Sequence, residues 1–430
     1  MKKVASHALG CKVNQYESEA IAELFAERGY EIVGIDEYAD IYIINTCTVT
    51  NFGDKKSRQL IRKVKRQNPD SIVAAIGCYA QTQPEKIKEV DGVNLVIGTK
   101  GRKDVVDLVE KYSKDNGVVS TVGEISNEHT FEHLSIQKLA GRTRAYLKIQ
   151  DGCSQFCSYC IIPYARGPVR SRNPQDIIDE VHNLAENGFR EIILAGIHVA
   201  SYGKDLIDTT LLDVIKRVQD TEGIERIRFS SIEPNIVTQQ FVSELSKMDK
   251  VCDHFHLSLQ SGCDRTLKRM NRKYDTAKYT QSVELLRKYF PDAAITTDII
   301  AGFPDETDED FEESITFAEK IGFAKIHAFP YSPKEGTPAA KMQNQILNAV
   351  KNERTARLIE LSDKMADNFI NGFVGKTMTV LYEKQVSDGI YEGYTTNYIR
   401  VHSNSVKNIS NSIVKTKIIA AENERAVGKL

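Results

Sequence analysis

Short apolar segments alternate with helical patterns over the first 115 residues of the chain. Four segments have the length and composition of strands: "KVASHAL" (3–9), "IYIIN" (41–45), "IVAAIG" (72–77) and "NLVIG" (94–98). The intervening stretches space their apolar residues as amphipathic helices do, for example "QYESEAIAELFAERG" (15–29) and "DKKSRQLIRKVKRQN" (54–68). Strands that alternate with helices predict an α/β domain with a doubly wound parallel sheet.

Six further strand candidates occupy the central part of the chain: 144–150, 190–197, 226–232, 254–260, 294–303 and 325–331. Helical stretches separate them, and two of these stretches carry clear start signals. Asn173 and Pro174 fit the cap and first position of one helix, and Thr307 with Asp310 fits a capping box at another. Six β/α units are too few for a complete eight-stranded barrel. The pattern therefore predicts a partial (β/α)6 barrel whose functional face is the C-terminal edge of its strands.

The pattern changes again after a long amphipathic helix that is predicted over residues 345–370. Polar and apolar residues alternate in "GKTMTVLYE" (375–383) and "YTTNYIRVHS" (394–403). This alternation predicts a small β-barrel, a fold that commonly binds nucleic acid. The resulting division of the chain is a first domain over 1–115, a linker over 116–140, a central domain over 141–371 and a last domain over 372–430.

Composition narrows the class of protein. The 430 residues carry 57 basic and 59 acidic side chains, so nucleic-acid binding would depend on local basic patches. No segment is long and apolar enough to cross a membrane, and the N-terminus lacks the apolar run of a signal peptide. We therefore expect a cytoplasmic protein, in which eight reduced cysteines favour metal or redox chemistry over disulfides.

Three of the eight cysteines each follow a predicted strand. Cys11, Cys47 and Cys78 lie just after the first, second and third strands of the N-terminal domain. Because parallel strands end at the same edge of a sheet, these three thiols are predicted to meet there. The alternative for any one of them alone is a small, buried hydrophobic residue.

Three more cysteines lie close together in "CSQFCSYC" (153–160), directly after the first strand of the predicted barrel. Cys153, Cys157 and Cys160 are one ligand short of a structural zinc site. A 4Fe–4S cluster is normally held by four thiolates. A cluster held by these three would keep one iron open for a ligand that is not protein.

A C-x3-C-x2-C motif after the first strand of a β/α barrel resembles the radical S-adenosylmethionine (SAM) superfamily. The resemblance implies that SAM binds the open iron and is cleaved to a 5′-deoxyadenosyl radical. Candidate SAM contacts are Gly196 at the end of the second strand, Gln260 and Ser261 at the end of the fourth, and Ile299 in "TTDIIAGFP" (296–304). Each candidate also has a plainer explanation, as a turn glycine or a residue that ends a strand.

The resemblance becomes more specific over nearly the whole chain. Four segments are similar to the methylthiotransferases: "LGCKVNQYESE" (9–19), "NTCTVT" (45–50), "GCYAQ" (77–81) and "DGCSQFCSYCIIPYARGPVRSR" (151–172). Residues 372–430 resemble the TRAM module that ends those proteins. Within the family, "KVNQ" (12–15) and "TVT" (48–50) are most similar to the branch that acts on N6-threonylcarbamoyladenosine in tRNA.

The family resemblance implies two 4Fe–4S clusters with different tasks. The cluster on Cys153, Cys157 and Cys160 generates the radical from SAM. The cluster on Cys11, Cys47 and Cys78 holds sulfur that a first SAM methylates. The radical removes hydrogen from C2 of the adenine next to the anticodon, and that carbon takes the methylthio group. The implied partners are a tRNA substrate and an external electron donor, and nothing in the sequence demands more than a monomer.

Basic residues cluster in three stretches despite the balanced net charge. These stretches contain Arg58, Arg62 and Arg66 within 55–66, Arg166, Arg170 and Arg172 beside the cysteine motif, and "RTLKRMNRK" (265–273). We predict that they contact RNA phosphates, with a merely solvated face as the alternative. Tyr394 and Tyr398 of the last domain are candidate surfaces for base stacking, or else core residues of its barrel.

Two alternative functions remain open at the level of the sequence. The same chemistry would also serve isopentenyladenosine in tRNA or an aspartate of a ribosomal protein. A protein of a different class, a non-catalytic RNA-binding protein with two structural metal sites, would also account for the cysteines and the basic stretches.

Overall fold

The computed structural model describes residues 1–136, 143–422 and 424–430 of the chain. Along the chain it consists of a parallel sheet covered by helices, an open barrel of parallel strands and a small closed β-barrel. The architecture that the sequence predicts is therefore confirmed.

The N-terminal part is a six-stranded parallel sheet in the order β2-β1-β3-β4-β5-β6. Its elements are β1 (Lys3–Ala8), α1 (Lys12–Glu27), β2 (Glu31–Val33), β3 (Ile41–Thr46), α2 (Asn51–Gln67), β4 (Ile72–Gly77), α3 (Cys78–Thr82), α4 (Pro84–Lys88), β5 (Leu95–Ile97), α5 (Val105–Glu110) and β6 (Val119–Ser120). Alternate residues of β3 belong to different hydrophobic clusters, Tyr42 and Ile44 to one and Ile41 and Ile43 to the other. Because successive strand residues point to opposite faces, helices cover both faces of this sheet.

The sheet ends at Ser120 rather than at the predicted domain boundary of residue 115, because β6 pairs with β5. A strand of two residues gives no readable alternation in a sequence. The predicted linker (116–140) and the predicted start of the central domain at 141 fall partly on 137–142, which lie outside the described residues.

The central part is an open barrel of six parallel strands. Its elements are β7 (Arg144–Asp151), α6 (Ile162–Arg166), β8 (Arg170–Ser171), α7 (Pro174–Glu186), β9 (Glu191–Gly196), α8 (Leu211–Gln219), β10 (Arg226–Phe229), α9 (Gln239–Leu245), β11 (His254–His256), α10 (Asp264–Arg269), α11 (Thr276–Tyr289), β12 (Ala294–Ala301), α12 (Asp308–Ile321), β13 (Lys325–Pro330) and α13 (Asn348–Asn371). β7, β9 and β10 form one group, and β11, β12 and β13 form another. Backbone bridges between Ile227 and Val251 and between Ile232 and Leu257 join the two groups. β8 occupies the outer edge of β7 in antiparallel orientation, so the barrel stays open.

The predicted helix starts are confirmed. The Asn173 side chain accepts a hydrogen bond from the backbone N–H of Gln175 at 2.8 Å, and Pro174 is the first residue of α7. Thr307 and Asp310 form a reciprocal capping box at the start of α12. These local signals fix where the helices begin and therefore where the strand-end loops lie.

The C-terminal part is a closed five-stranded barrel in the order β14-β15-β16-β18-β17. Its strands are β14 (Thr377–Ser387), β15 (Ile390–Thr395), β16 (Arg400–Asn404), β17 (Ser412–Glu422) and β18 (Arg425–Lys429). The predicted long helix is α13, whose last turns contribute Ile370 to the core of this barrel. Among the helices of the described ranges, none has the length and apolar character that crossing a membrane requires.

Buried arginines hold the small barrel against the central one. Arg226 donates hydrogen bonds to the carbonyl oxygens of Tyr394 at 2.7 Å and Thr379 at 2.9 Å. Arg228 donates to the carbonyl oxygen of Thr396 at 2.9 Å. Hydrogen bonds from charged donors are stronger than neutral ones, so these contacts fix the orientation of the small barrel.

The two candidate stacking tyrosines lie at this interface. The rings of Tyr394 and Tyr398 stack on each other with centroids 4.9 Å apart, and Tyr398 stacks on His254 at 4.7 Å. The guanidinium of Arg144 lies 4.6 Å from the centre of the Tyr394 ring. Both rings therefore contribute to domain packing, and because they also line the central cavity, stacking on an RNA base stays a prediction.

The stability of this interface is expected to fall as the pH drops below about 6.5. Burial, followed by nearby Arg228, holds the pKa of His254 well below its ordinary value. The folded protein therefore keeps this imidazole neutral in a range where the unfolded chain takes up a proton, which favours unfolding progressively below about pH 6.5. Thermal unfolding midpoints at about pH 7.5 and about pH 5.5 should differ less in His254→Gln than in the wild type.

The matched control for this prediction is His129→Gln, because His129 is exposed. This variant is expected to keep the pH dependence of the wild type. An unchanged pH dependence in His254→Gln would contradict the role assigned to the buried imidazole.

Candidate active site

Cys11, Cys47 and Cys78, the N-terminal thiols, lie at the ends of three neighbouring strands. Cys11 caps α1 after β1, Cys47 directly follows β3, and Cys78 begins α3 directly after β4. β1, β3 and β4 are adjacent in the sheet, so the three residues share one edge. Cys11 and Cys78 both act electrostatically on Cys47, as expected for thiols that converge.

Two glycines leave room for the N-terminal thiols. Gly10 has φ +93°, and a Cβ at this position would lie 2.5 Å from Sγ of Cys47. Gly77 has φ +91°, and a Cβ there would lie 2.2 Å from Oδ1 of Asn45. A side chain at either position would combine backbone strain with a displacement of the groups that set the thiols in place.

The loop between β7 and α6 carries the loop thiols, Cys153, Cys157 and Cys160. It starts at Gly152, which has φ +71° and where a Cβ would lie 1.8 Å from the carbonyl oxygen of Pro168. The backbone N–H of Cys153 donates to the carbonyl oxygen of Gly167 at 3.0 Å, which closes the loop at its base. The three thiols are thus held in a loop whose two ends are joined.

Neither set of thiols is spaced for a single zinc ion. Zn–S bonds of about 2.3 Å in a tetrahedral site hold the sulfurs about 3.8 Å apart. Within the described ranges, the one group of three ligand atoms that all lie within 4.8 Å of one another is Cys263, Asp310 and Glu313. In a cubane cluster each thiolate binds a different iron, so its sulfur ligands lie farther apart than those of one zinc ion.

Burial keeps Cys47, Cys153 and Cys160 protonated when no metal ion is bound. Burial, followed by smaller contributions from neighbouring cysteines, raises the pKa of Cys47 to about 12, that of Cys160 to about 12 and that of Cys153 to about 11. Bound iron supplies the positive charge that allows the thiolates to form, so metal binding releases protons here. The donor chemistry of both sets therefore fits 4Fe–4S clusters.

In each set, one sulfur accepts a hydrogen bond from a buried arginine, and the arginine differs between the two sets. Nε of Arg166 lies 3.2 Å from Sγ of Cys78, and Nη1 of Arg272 lies 3.1 Å from Sγ of Cys157. Arg166 is fully buried, and the Arg272 side chain is 6% exposed. Donors placed this way stabilise the thiolate form of a ligand and tune the potential of the cluster it binds.

Arg166 also joins the two sets of thiols. It belongs to α6, which follows the loop thiols, yet it reaches into the N-terminal part of the chain. Besides Cys78, it donates to Asn14 Oδ1 at 2.7 Å, to Glu17 Oε2 at 3.0 Å and to Asp151 Oδ1 at 2.9 Å. The Arg166 side chain thus links the sheet edge that carries the N-terminal thiols to the start of the central barrel.

Two carboxylates balance the cations at this buried interface. Nζ of Lys148 lies 2.7 Å from Glu17 and 2.6 Å from Asp151, and Nη1 of Arg102 lies 2.5 Å from Glu17. Burial alone would raise the pKa of both carboxyls. The neighbouring cations, Arg102 and Arg166 at Glu17 and Arg166 and Lys148 at Asp151, outweigh it and hold both pKa values below the ordinary range.

A central cavity of about 960 Å³ lies among the three parts of the chain. Its wall includes Cys11 and Lys12 from the N-terminal part, Ile162 and Gly196 from the central barrel, and Tyr394 from the C-terminal barrel. Ile162 begins the helix that follows the loop thiols. Cys11 of the N-terminal thiols therefore borders this space, and so does Ile162, which lies two residues after Cys160.

Residues 147–318 match the model of the radical SAM superfamily, and residues 3–98 match that of the uncharacterized protein family UPF0004. The chain is 42% identical, over 426 residues, to the threonylcarbamoyladenosine tRNA methylthiotransferase MtaB of Bacillus subtilis (strain 168). That alignment covers 98% of this chain and 94% of the relative. The chain belongs to the radical SAM methylthiotransferase family.

A second type of methylthiotransferase relative is slightly more distant. The chain is 37% identical to the tRNA-2-methylthio-N(6)-dimethylallyladenosine synthase of Acetivibrio thermocellus, over 90% of this chain and 82% of the relative. Among solved structures, the radical SAM methyltransferase TsrM from Kitasatospora setae matches with a TM-score of 0.58 at 14% identity, covering 90% of this chain and 82% of that one. This likeness shows a shared fold.

The candidate SAM contacts of this methylthiotransferase lie in different surroundings. Gly196 lines the central cavity, and a Cβ there would lie 2.9 Å from Oε1 of Gln150. Gln260, at φ +72°, forms a backbone bridge with Ile299 in the barrel wall. The hydroxyl of Ser261 is buried and lies 3.2 Å from Oγ of Ser314. A SAM contact through the Ser261 hydroxyl is therefore not supported, because that hydroxyl is engaged within the barrel wall.

Three of the candidate RNA contacts must be corrected. Arg166, Arg170 and Arg172 are at most 2% exposed. Besides the contacts of Arg166, Arg170 donates to the carbonyl oxygen of Arg166 at 2.8 Å, and Arg172 pairs with Glu180 at 2.5 Å. These guanidinium groups stabilise the interior and are not accessible to phosphates. By contrast, Arg62 and Arg66 are exposed on α2, and half-buried Arg58 donates to the Tyr79 hydroxyl at 2.6 Å.

Sequence reasoning missed a chain of polar groups behind the loop thiols. Arg272, which donates to Cys157, also donates to Glu233 at 2.7 Å, and Glu233 in turn lies 2.9 Å from Nε2 of His198. Arg272 belongs to the basic run 265–273, whose spacing gives no sign that one cation turns inward. Lys12 was also missed as a cavity residue, although its position directly after Cys11 is a signal that the sequence offers.

Proposed function

We propose that this protein transfers a methylthio group to C2 of N6-threonylcarbamoyladenosine next to the anticodon of tRNA. The observation that carries the proposal is the central cavity that Cys11 and Ile162, two residues after Cys160, both line, because radical formation and sulfur donation must reach the same carbon atom. The name of the Bacillus subtilis relative supports this choice of substrate.

The two sets of thiols would hold the two 4Fe–4S clusters. Each cluster would be bound by three protein thiolates, with Cys11, Cys47 and Cys78 at one and Cys153, Cys157 and Cys160 at the other. When bound, these clusters and SAM supply a 5′-deoxyadenosyl radical and the methylthio group. Gly196, Gln260 and Ile299 would flank SAM with backbone atoms.

The surrounding side chains orient one thiol in each set. Glu233 holds Arg272 against Cys157, and Glu17 holds Arg166 against Cys78. Because both arginines are buried, their hydrogen bonds to sulfur do not compete with bulk water. A water-excluding wall also protects a reactive carbon from side reactions.

A tRNA substrate would be held mainly through its phosphates. Arg58, Arg62 and Lys86 line a surface groove of about 440 Å³ beside α2, the helix that follows Cys47. Such contacts position RNA without reading its sequence and weaken as salt rises. The reaction also needs an external electron donor, and we propose that the protein acts as a monomer.

The function is tested with anaerobically reconstituted protein, SAM and dithionite. Three substrates are compared: anticodon stem-loop RNAs that carry N6-threonylcarbamoyladenosine or isopentenyladenosine, and a ribosomal-protein fragment that contains the target aspartate. Mass spectrometry is expected to detect the methylthio product on the first RNA at a rate at least about tenfold above the others. A higher rate on either other substrate would reassign the substrate. About two zinc ions per chain and no product on any of the three would indicate an RNA-binding protein with structural metal sites.

A further inference from the structure

The central cavity contains a lysine that the proposed radical chemistry does not use. Lys12 follows Cys11 directly, begins α1 and lines the cavity. Its Nζ lies 6.0 Å from the centre of the Tyr146 ring, and it makes no hydrogen bond or ion pair within residues 1–136, 143–422 and 424–430. A largely buried cation without a counter-ion is unfavourable, so this arrangement points to an anionic ligand.

The carboxylates that act on Lys12 at longer range already have partners. These are Asp298 and Glu191. Asp298 lies 3.3 Å from Nε2 of His256, and Glu191 accepts a hydrogen bond from Arg228 at 2.8 Å. Neither carboxylate is therefore left to pair with Lys12, and an anion in the cavity would supply the missing partner.

A second lysine of the same cavity, unlike Lys12, has carboxylate partners. Nζ of Lys325 lies 3.0 Å from Asp363 and 2.6 Å from Glu424, so its charge is neutralised by two carboxylates. Both lysines line the cavity, but only Lys12 lacks such partners among the described residues. Of the two lysines of the cavity, the one without a carboxylate partner therefore lies beside the N-terminal thiols, while the exposed Arg400 adds a further cation to the lining.

We propose that Lys12 binds the carboxylate of the threonyl group on N6 of the substrate adenine. The inference rests on the proposed function and names the group by which the substrate is recognised. The threonylcarbamoyl substituent carries a carboxylate, whereas an isopentenyl substituent is an uncharged hydrocarbon. The base must lie close to Cys11 for C2 to receive sulfur, which brings its N6 substituent within the reach of the neighbouring lysine.

Other cavity groups suit the same substituent. Ser231 and His327 line the cavity and offer hydrogen bonds to a hydroxyl or an amide. SAM also carries a carboxylate, so the experiment must separate the two ligands. Lys12 thus acts as a specificity-determining residue that favours an anionic N6 substituent.

The test measures RNA binding to the cluster-loaded protein under anaerobic conditions, without SAM and without reductant. Three fluorescent anticodon stem-loops are titrated, which carry threonylcarbamoyladenosine, its carboxyl methyl ester or unmodified adenosine. Wild-type protein is expected to bind the acid roughly ten- to a hundredfold more tightly than the ester, as for a charge-assisted hydrogen bond. Lys12→Gln is expected to bind the acid and the ester equally, and Lys12→Arg is expected to restore part of the preference.

Lys325→Gln is the matched control, because it removes the paired lysine of the same cavity. It is expected to leave the ratio of acid to ester affinity unchanged. The proposal is overturned if the wild type does not distinguish acid from ester, or if Lys12→Gln keeps that ratio. Equal weakening of all three RNAs by Lys12→Gln would overturn it too, since it would indicate a phosphate contact or a structural role.

A separate measurement addresses SAM. If equilibrium dialysis without RNA shows that Lys12→Gln weakens SAM binding while the ratio of acid to ester affinity persists, the lysine binds SAM and the proposal fails. Failure of this inference is distinct from failure of the proposed function. If wild-type protein makes the methylthio product but Lys12→Gln keeps its preference for the acid, only the role assigned to Lys12 is wrong. If wild-type protein makes no product, the proposed function is wrong.

Discussion

A Cys78→Ala variant is expected to hold about four irons per chain instead of about eight, because one cluster loses a third of its protein ligands while the other stays intact. The variant should still release 5′-deoxyadenosine from SAM, since the loop thiols are unchanged. It should form no methylthiolated RNA, because the proposed sulfur-holding site is lost. Anaerobic iron analysis and mass spectrometry of the nucleoside products measure these outcomes.

Two further variants complete this experiment. Cys252→Ala removes an equally buried thiol that belongs to neither set, and it is expected to keep about eight irons and the product. Cys157→Ala removes a loop thiol and is expected to abolish 5′-deoxyadenosine as well. If Cys78→Ala retained about eight irons and formed product, the assignment of the N-terminal thiols would be wrong.

Replacing Arg166 by Met is expected to reduce the free energy of unfolding by about 3–5 kcal/mol, because the change removes a buried cation that pairs with two buried carboxylates. Arg166 donates to both Glu17 and Asp151, and all three side chains are at most 2% exposed. Urea titration followed by circular dichroism measures the loss. Cluster-free protein under reducing conditions is used for this measurement, so that cluster release does not contribute.

The control for Arg166→Met is Arg357→Met. Arg357 pairs with Glu312 at 2.6 Å, but the two side chains are 42% and 53% exposed. An exposed ion pair contributes at most about 1 kcal/mol, so this variant should unfold at nearly the wild-type urea concentration. Similar losses in the two variants would contradict the view that the Arg166 network stabilises the interface through buried charge.

The sequence was sufficient for the architecture because the relevant signals are local. Strand and helix periods identify the parallel sheet and the partial barrel, and the cap at Asn173 and the capping box at Thr307 mark helix starts. The convergence of the N-terminal thiols was also predictable, because it follows from one rule, that parallel strands end at a common edge.

Burial and long-range pairing were not predictable in the same way. Arg166 and Glu17 are separated by 149 positions, so no local pattern reveals that this arginine of a basic stretch is neutralised inside the protein. The sequence shows that Arg170 and Arg172 are charged but not that their side chains are buried. For the same reason Ser261 resembles a ligand-binding residue until its contact with Ser314 is seen.

The arginines beneath the C-terminal barrel donate hydrogen bonds to main-chain oxygens. Arg226 donates to those of Tyr394 and Thr379, and Arg228 donates to that of Thr396. Every residue type has a main-chain carbonyl oxygen. Substitutions on the outer side of this barrel would therefore leave these hydrogen bonds in place. Substitution of either arginine, by contrast, would remove hydrogen bonds that help to fix the orientation of the barrel. The two guanidinium groups therefore allow the outer surface of the barrel to change in sequence during evolution without a change in the orientation of the barrel.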